Sequence, residues 1–262
     1  MNKPSEKLIE RAHNIALFSE YHKKYPTHGY RWLNAKIRLD TGLLLSDNYA
    51  QRCCQYAGIR SVSKRCRYKQ PGEKNKIFPN LLMADLAVNN PYEVVVSDMT
   101  AFWCKGVYYE LTLYMDLWNE SIVAYEASSS RGDRNTYMDG LQTLINKKKE
   151  YTGLKTILHT DQGSVYSSKT FNEILPLYNI THSMSRAGTP TDNGAMEAIN
   201  GWIKEELFVD FNITDNDDPK DCIDRYIKFF NEERPSYSLN YLTPKQFSEI
   251  HGYSWEELST NA

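Results

Sequence analysis

The 262-residue sequence predicts an α/β (α+β) chain: a mixed sheet flanked by helices, with helical segments before and after it. Three observations carry that expectation. β-branched and aromatic runs separated by short turns crowd residues 93–127. Helices and strands then alternate to about residue 208, and helical periodicity dominates both ends.

In the first segment Leu8, Ile9, Ala12, Ile15, Ala16 and Phe18 recur at helical spacing, and Tyr30, Leu33, Ile37 and Leu39 repeat it less cleanly. Ser46-Asp47-Asn48 starts a helix over Tyr49–Tyr56, and Gly58 stops it. Gln70–Lys76 combines turn residues and charge without period, as a linker does. Glu93–Thr100 reads as a strand ending in polar residues, so that Asp98 falls near its end. Val107–Leu117 and Ser121–Ala127 complete a meander through a Trp118-Asn119-Glu120 turn. Arg134–Lys149 is a helix, Lys155–His159 a fourth strand, Ser168–Leu177 a helix and Ile180–Ser183 a fifth strand. Gly188–Asn193 opens a long helix running to about Phe208. Past the acidic stretch Asp215–Pro219, helices are expected over Cys222–Asn231 and Thr243–His251. The division expected is 1–70 basic helical, 71–90 linker, 91–212 catalytic and 213–262 a helical tail.

Net charge of −2 conceals an asymmetry: residues 1–70 hold 14 Lys or Arg against five acids, whereas the remainder holds 17 against 28. A basic arm beside an acidic body suits an anionic partner, with nucleic acid the natural candidate. Cys53, Cys54, Cys66, Cys104 and Cys222 form no CxxC pair, and the six histidines lack zinc-ligand spacing, so free thiols and no zinc site are expected. No apolar run approaches the roughly 18 residues that span a bilayer, and Met1–Glu10 is too polar for a secretory signal. A cytoplasmic protein with no membrane partner is expected.

Among 33 acids, Asp98, Asp161 and Glu197 stand out by position: near the first strand's end, just past the fourth strand, and one turn into the long helix. Strand ends meeting helix starts can bring such residues together. Convergent carboxylates repel unless a cation neutralises them, and hard oxygen ligands suit magnesium or manganese. Such a site supports two-metal phosphoryl transfer, with Asp98 bridging the ions. Any one of these acids alone is ordinarily a solvated surface charge.

Five stretches now make the pattern specific. Ser97-Asp98-Met99-Thr100, His159-Thr160-Asp161-Gln162-Gly163 and Asp192-Asn193-Gly194-Ala195-Met196-Glu197 resemble, in order, the three acidic motifs of OrfB-type insertion-sequence transposases, kin of retroviral integrases in the DDE superfamily. The 35 residues between Asp161 and Glu197 match its D,D(35)E signature. Thr27–Arg31 resembles the family's helical entry, and Asn231–Pro235 with Tyr241–Pro244 its ending. Ala198-Ile199-Asn200 departs from the usual Ser-Phe-Phe, His28 stands where tyrosine is common, and Ser236 where histidine is.

The resemblance implies a ribonuclease-H-like, five-stranded mixed sheet and two Mg2+ ions, with Mn2+ as substitute. It also implies 3′-end cleavage, strand transfer and DNA integration by Asp98, Asp161 and Glu197. DNA (transposon ends and target) is the implied partner, with a homo-oligomer on DNA and an upstream OrfA segment as further ones. Lys204, seven residues after Glu197, occupies the family's basic position and shares that helix face. The rivals are a nuclease of the same fold without strand transfer and a non-catalytic DNA-binding regulator.

Of the neighbours, Asn193 either caps the long helix with Asp192 or orients substrate. Arg31, Arg65 and Arg67, with Trp32, Lys36, Arg52, Arg60, Lys64 and Lys69, are candidates to track the DNA backbone, although Tyr30 and Trp32 are more often core. Asp116 reads as a structural acid and His159 as a hydrogen-bonder at the sheet end.

Overall fold

A two-residue turn organises the sheet. In a computed structural model of the chain, Lys105 and Gly106 both adopt positive φ, 49° and 78°, the geometry of a type I′ turn whose twist matches the strands it joins. The structure describes residues 6–62, 78–82, 87–148, 153–186, 194–216 and 218–259, apart from the side chains of 194, 195, 197, 257 and 259. Because of that turn β1 (Val94–Cys104) pairs with β2 (Val107–Asp116) as far as Cys104 opposite Val107. The strand therefore does not end at its polar stretch. Ala101–Cys104 finds partners in Val107–Glu110, and Asp98 sits in mid-strand rather than near the end.

β2 continues antiparallel into β3 (Ile122–Ser128), while β4 (Thr156–Thr160) and β5 (Ile180–Met184) add in parallel on the other side of β1. The order β3-β2-β1-β4-β5 is the mixed, ribonuclease-H-like arrangement expected. Asp116 serves the β2–β3 connection. Its carboxylate accepts the N–H groups of Tyr92 and Trp118, and burial raises its pKa to about 7.

Both sheet faces are covered. One packs α4 (Arg134–Lys148), α5 (Lys169–Ile174) and α9 (Trp255–Ser259) over Val95, Tyr114, Leu158 and Met184. α9 escaped the sequence reading because five residues carry too little periodicity; buried Trp255 and Leu258 anchor it. The opposite face packs α6 (Gly194–Val209) and α7 (Pro219–Glu232) over Val96, Phe102, Leu111 and Leu113. The same cluster takes Phe18 of α1 (Glu6–Lys24), Leu33 and Ile37 of α2 (Tyr30–Thr41), and Ala50 and Cys53 of α3 (Asp47–Tyr56). Ser46 caps α3 by accepting the Tyr49 N–H, as expected.

A buried polar network fixes the far end of α6. Arg234 Nε donates to both Glu206 oxygens at 2.9 and 3.0 Å, and Tyr226 Oη donates to Oε2 at 2.9 Å. His28 Nε2 lies 3.4 Å from Glu206 and from Asp210, and Thr27 Oγ1 donates to Asp210 at 2.8 Å. Asn231 closes the exposed edge of β3, donating to the Ile122 carbonyl and accepting its N–H. Thr243 and Gln246 form a capping box on α8 (Pro244–Ile250). These contacts account structurally for residues of the C-terminal motif.

Candidate active site

The parallel register of β1 with β4 sets Ser97 opposite Thr160; Asp98 follows on β1, and Asp161 is the first residue past the end of β4. Residues side by side on neighbouring parallel strands face the same way, and the strands are about 4.8 Å apart. Asp98 and Asp161 therefore each follow one member of a matched pair, although 62 residues lie between them. Burial raises the Tyr137 and Tyr166 hydroxyls well above the ordinary value, and the charges of both aspartates add to each shift. Ser97 Oγ holds the Tyr166 hydroxyl at 2.8 Å.

Each carboxylate is fixed by its own chain neighbourhood. Asp98 Oδ1 accepts the Met99 N–H at 2.8 Å, and Asp161 Oδ1 accepts the Gly163 N–H at 2.8 Å. A Cβ at Gly163 would meet that same Oδ1 at 2.8 Å, which gives the glycine of this motif a steric reason. Although Asp161 retains exposed surface, surrounding atoms desolvate its carboxyl and raise its pKa, with the Gly163 N–H opposing the shift. No cationic side chain among the described residues pairs with Asp161.

α6 brings the third element. Asn200 Nδ2 donates to Asp98 Oδ2 at 2.7 Å, tying the helix to β1. Asn200 is 9% exposed, and its Oδ1 is a buried acceptor without a partner among the described residues. Glu197 precedes Asn200 by three residues on α6 and shares its face, while its side chain lies outside the description. Asn200 was visible in the sequence only as a departure from the usual aromatic residue; its bond to Asp98 could not be read there.

The remaining candidates divide. Lys204 lies on α6, half-buried, and Arg31 is exposed, with Asp47 at 3.9 Å. Asn193, Arg65, Arg67, Lys64 and Lys69 lie outside the described residues. Lys36 is corrected: it is buried, pairing with Asp40 at 3.1 Å and Glu233 at 3.7 Å, so it is not a backbone-tracking cation. Trp32 stacks on His28 and donates to the Pro235 carbonyl, the core role that aromatics there more often have. His159 is wholly buried between Ser183 and Ser185, a hydrogen-bonder as expected. Among the described residues no group of three potential metal ligands occurs, and no helix is long and apolar enough to cross a membrane.

Comparison with known proteins identifies relatives over most of the chain. Residues 88–190 match an integrase core domain family, and residues 178–244 match a second family of the same description. A transposase-like protein of Haemophilus influenzae is 30% identical over 213 residues, covering 80% of this chain and 96% of its own. The transposase for insertion sequence element IS904 of Lactococcus lactis is 28% identical over 256 residues, 95% of this chain and 98% of its own. The HTLV-2 integrase catalytic core domain, solved in complex with magnesium, aligns with a TM-score of 0.47 at 20% identity, over 60% of this chain and 96% of that one.

Proposed function

Because the chain belongs to the DDE transposase/integrase superfamily, we propose that it is an OrfB-type DNA transposase that cleaves 3′ ends of an insertion sequence and joins them to target DNA. One observation supports the reading: Ser97 and Thr160 pair in parallel register, Asp98 and Asp161 are the residues that follow them, and Asn200 ties α6, the helix of Glu197, to Asp98.

The donor set suits a divalent cation. Two hard carboxylates converge, and desolvation makes ionised Asp161 costly without positive charge. Asp98, Asp161 and Glu197 would hold Mg2+, or Mn2+ in its place, with two ions in the full site. Bound there, the metal would supply a lowered pKa for an attacking water or 3′-hydroxyl and positive charge against the phosphate. Asp98 would be the natural ligand to share; the Met99 N–H and the Asn200 amide hold its two oxygens in one orientation. Asp161 is set by Gly163, so neither carboxylate must reorganise as the phosphate enters. Tyr166 and Tyr137 lie in the core on the α4 side of the sheet, and their raised pKa values keep them neutral.

In this reading residues 1–70 and Lys204 supply phosphate contacts, with Arg31, Arg65, Arg67 and Asn193 as further candidates, and a homo-oligomer assembles on DNA. An upstream OrfA segment would find the element ends. The test incubates the protein and Mg2+ with element-end oligonucleotides and a target plasmid. Joined products are expected; nicks without joining would reduce the enzyme to a nuclease, and end binding with neither would leave a regulator.

A further inference from the structure

Beyond Asp98, β1 runs on to Cys104, and this extension carries a patch the site above does not use. Alternation sends Phe102 and Cys104 into the core and Trp103 to the other face. Trp103 is 64% exposed, an unusual place for the largest side chain. Its ring meets Tyr108 across the hairpin edge-to-face, centroids 5.4 Å apart. The Arg131 guanidinium lies over the same Tyr108 ring at 5.4 Å.

The cation is presented by a braced loop. Gly132 N–H donates at 2.9 Å to buried Glu110, two residues from Tyr108 on β2. Ser128 Oγ donates to Asp133 at 2.7 Å and accepts the Ser130 N–H at 3.1 Å. Lys105, Arg131 and Arg134 are all exposed around this end of the sheet, in a part of the chain where acids outnumber bases. An exposed indole beside a ring that carries a guanidinium fits one ligand chemistry well. A nucleobase presents a flat face for stacking, and its phosphate answers the charge.

We propose that Trp103, Tyr108 and Arg131 form a stacking site for unpaired bases of a DNA strand that leaves the Asp98–Asp161 site around the edge of β1 beyond Ser97, where its pairing with β4 stops, since Trp103 faces away from Asp98. The inference rests on the DNA-processing reading and adds to it a preference for frayed or single-stranded ends. Five residues of strand from Asp98 to Trp103 span about 16 Å. That is the length of roughly five stacked nucleotides.

The test measures fluorescence anisotropy of the full chain, without divalent metal, on a blunt duplex and on the same duplex with five unpaired nucleotides at one end. Wild type is expected to prefer the tailed DNA. Trp103→Ala should weaken tailed binding about tenfold or more while leaving blunt binding within about twofold. Trp103→Phe should retain most of the preference, and Arg131→Gln should lose part of it. Equal tail preference in wild type and Trp103→Ala would overturn the stacking site while leaving the DNA reading intact. Absence of any DNA binding by wild type would overturn both. A Trp103→Ala protein that changes its mass in solution and not its DNA preference would make the patch an interface between copies of this chain, and overturn the proposal.

Discussion

The two ends of α6 handle carboxylates in opposite ways. At the far end Glu206 is fully buried and surrounded by donors: Arg234 reaches both oxygens, Tyr226 adds a third bond, and His28 stands by. At the near end Asp161 has one backbone N–H for its charge, and Asp98 meets α6 through a neutral amide. Charge balanced by the chain itself belongs to the scaffold. Charge left for something else to balance belongs to a site. α6 thus works as a rod, clamped at Glu206 so that its first turns hold steady against β1.

The largest effects should come from the near end. Asp161→Asn is expected to lower cleavage and joining by about a thousandfold or more, roughly 4 kcal/mol of barrier, without weakening the metal-free fold. Gel analysis of products beside thermal melting checks both halves, and a metal-free protein that melts much earlier would place Asp161 in the scaffold. Arg234→Met should do the reverse. Stranding Glu206 costs about 3–5 kcal/mol in urea unfolding. An unchanged urea midpoint would break the contrast.

Asn200→Leu falls between. Losing the amide that orients Asp98 should weaken metal affinity and activity about 10- to 100-fold, as loss of outer contacts to a metal ligand does. Little change in metal-free stability is expected, and normal metal binding would make the Asn200–Asp98 bond incidental.

The smallest effect is a pH dependence. Asp161 has a folded pKa above its unfolded value, so the folded chain holds that proton more tightly. Its ionisation therefore costs stability as pH rises from about 3.8 through the raised value. The stability of Asp161→Asn minus that of wild type, both metal-free, should grow over that window and level off above it, and Mg2+ should reverse its sign. A flat difference in urea midpoints from acid to neutral pH would contradict the desolvation of Asp161.

Much of this was legible in sequence, and the failures are instructive. The strands and their order of types were readable because β-branched runs and turn residues act locally. Asp98 was misplaced along its strand because a polar Ser-Asp-Met-Thr stretch looks like a strand end. Only pairing across the Lys105-Gly106 turn, a nonlocal event, extends β1 past it. The parallel register that sets Asp98 and Asp161 after one matched pair is a nonlocal fact, which no local pattern encodes. Lys36 was misread for the same reason, since Glu233, one of its two partners, is 197 positions away. Asn200 was noticed as an oddity, and its meaning waited for the fold.

The central claim is that Asp98 and Asp161, with Glu197 on α6, form a cation site that α6 completes. Calorimetric titration of Mn2+ into the full chain bound to an element-end duplex tests it most directly, comparing wild type with Asp161→Asn, Glu197→Gln and Arg234→Lys. The account predicts two ions for wild type, binding lost or halved in the first two variants, and binding retained in whatever fraction of Arg234→Lys is folded. Wild-type-like titrations from Asp161→Asn and Glu197→Gln would contradict it.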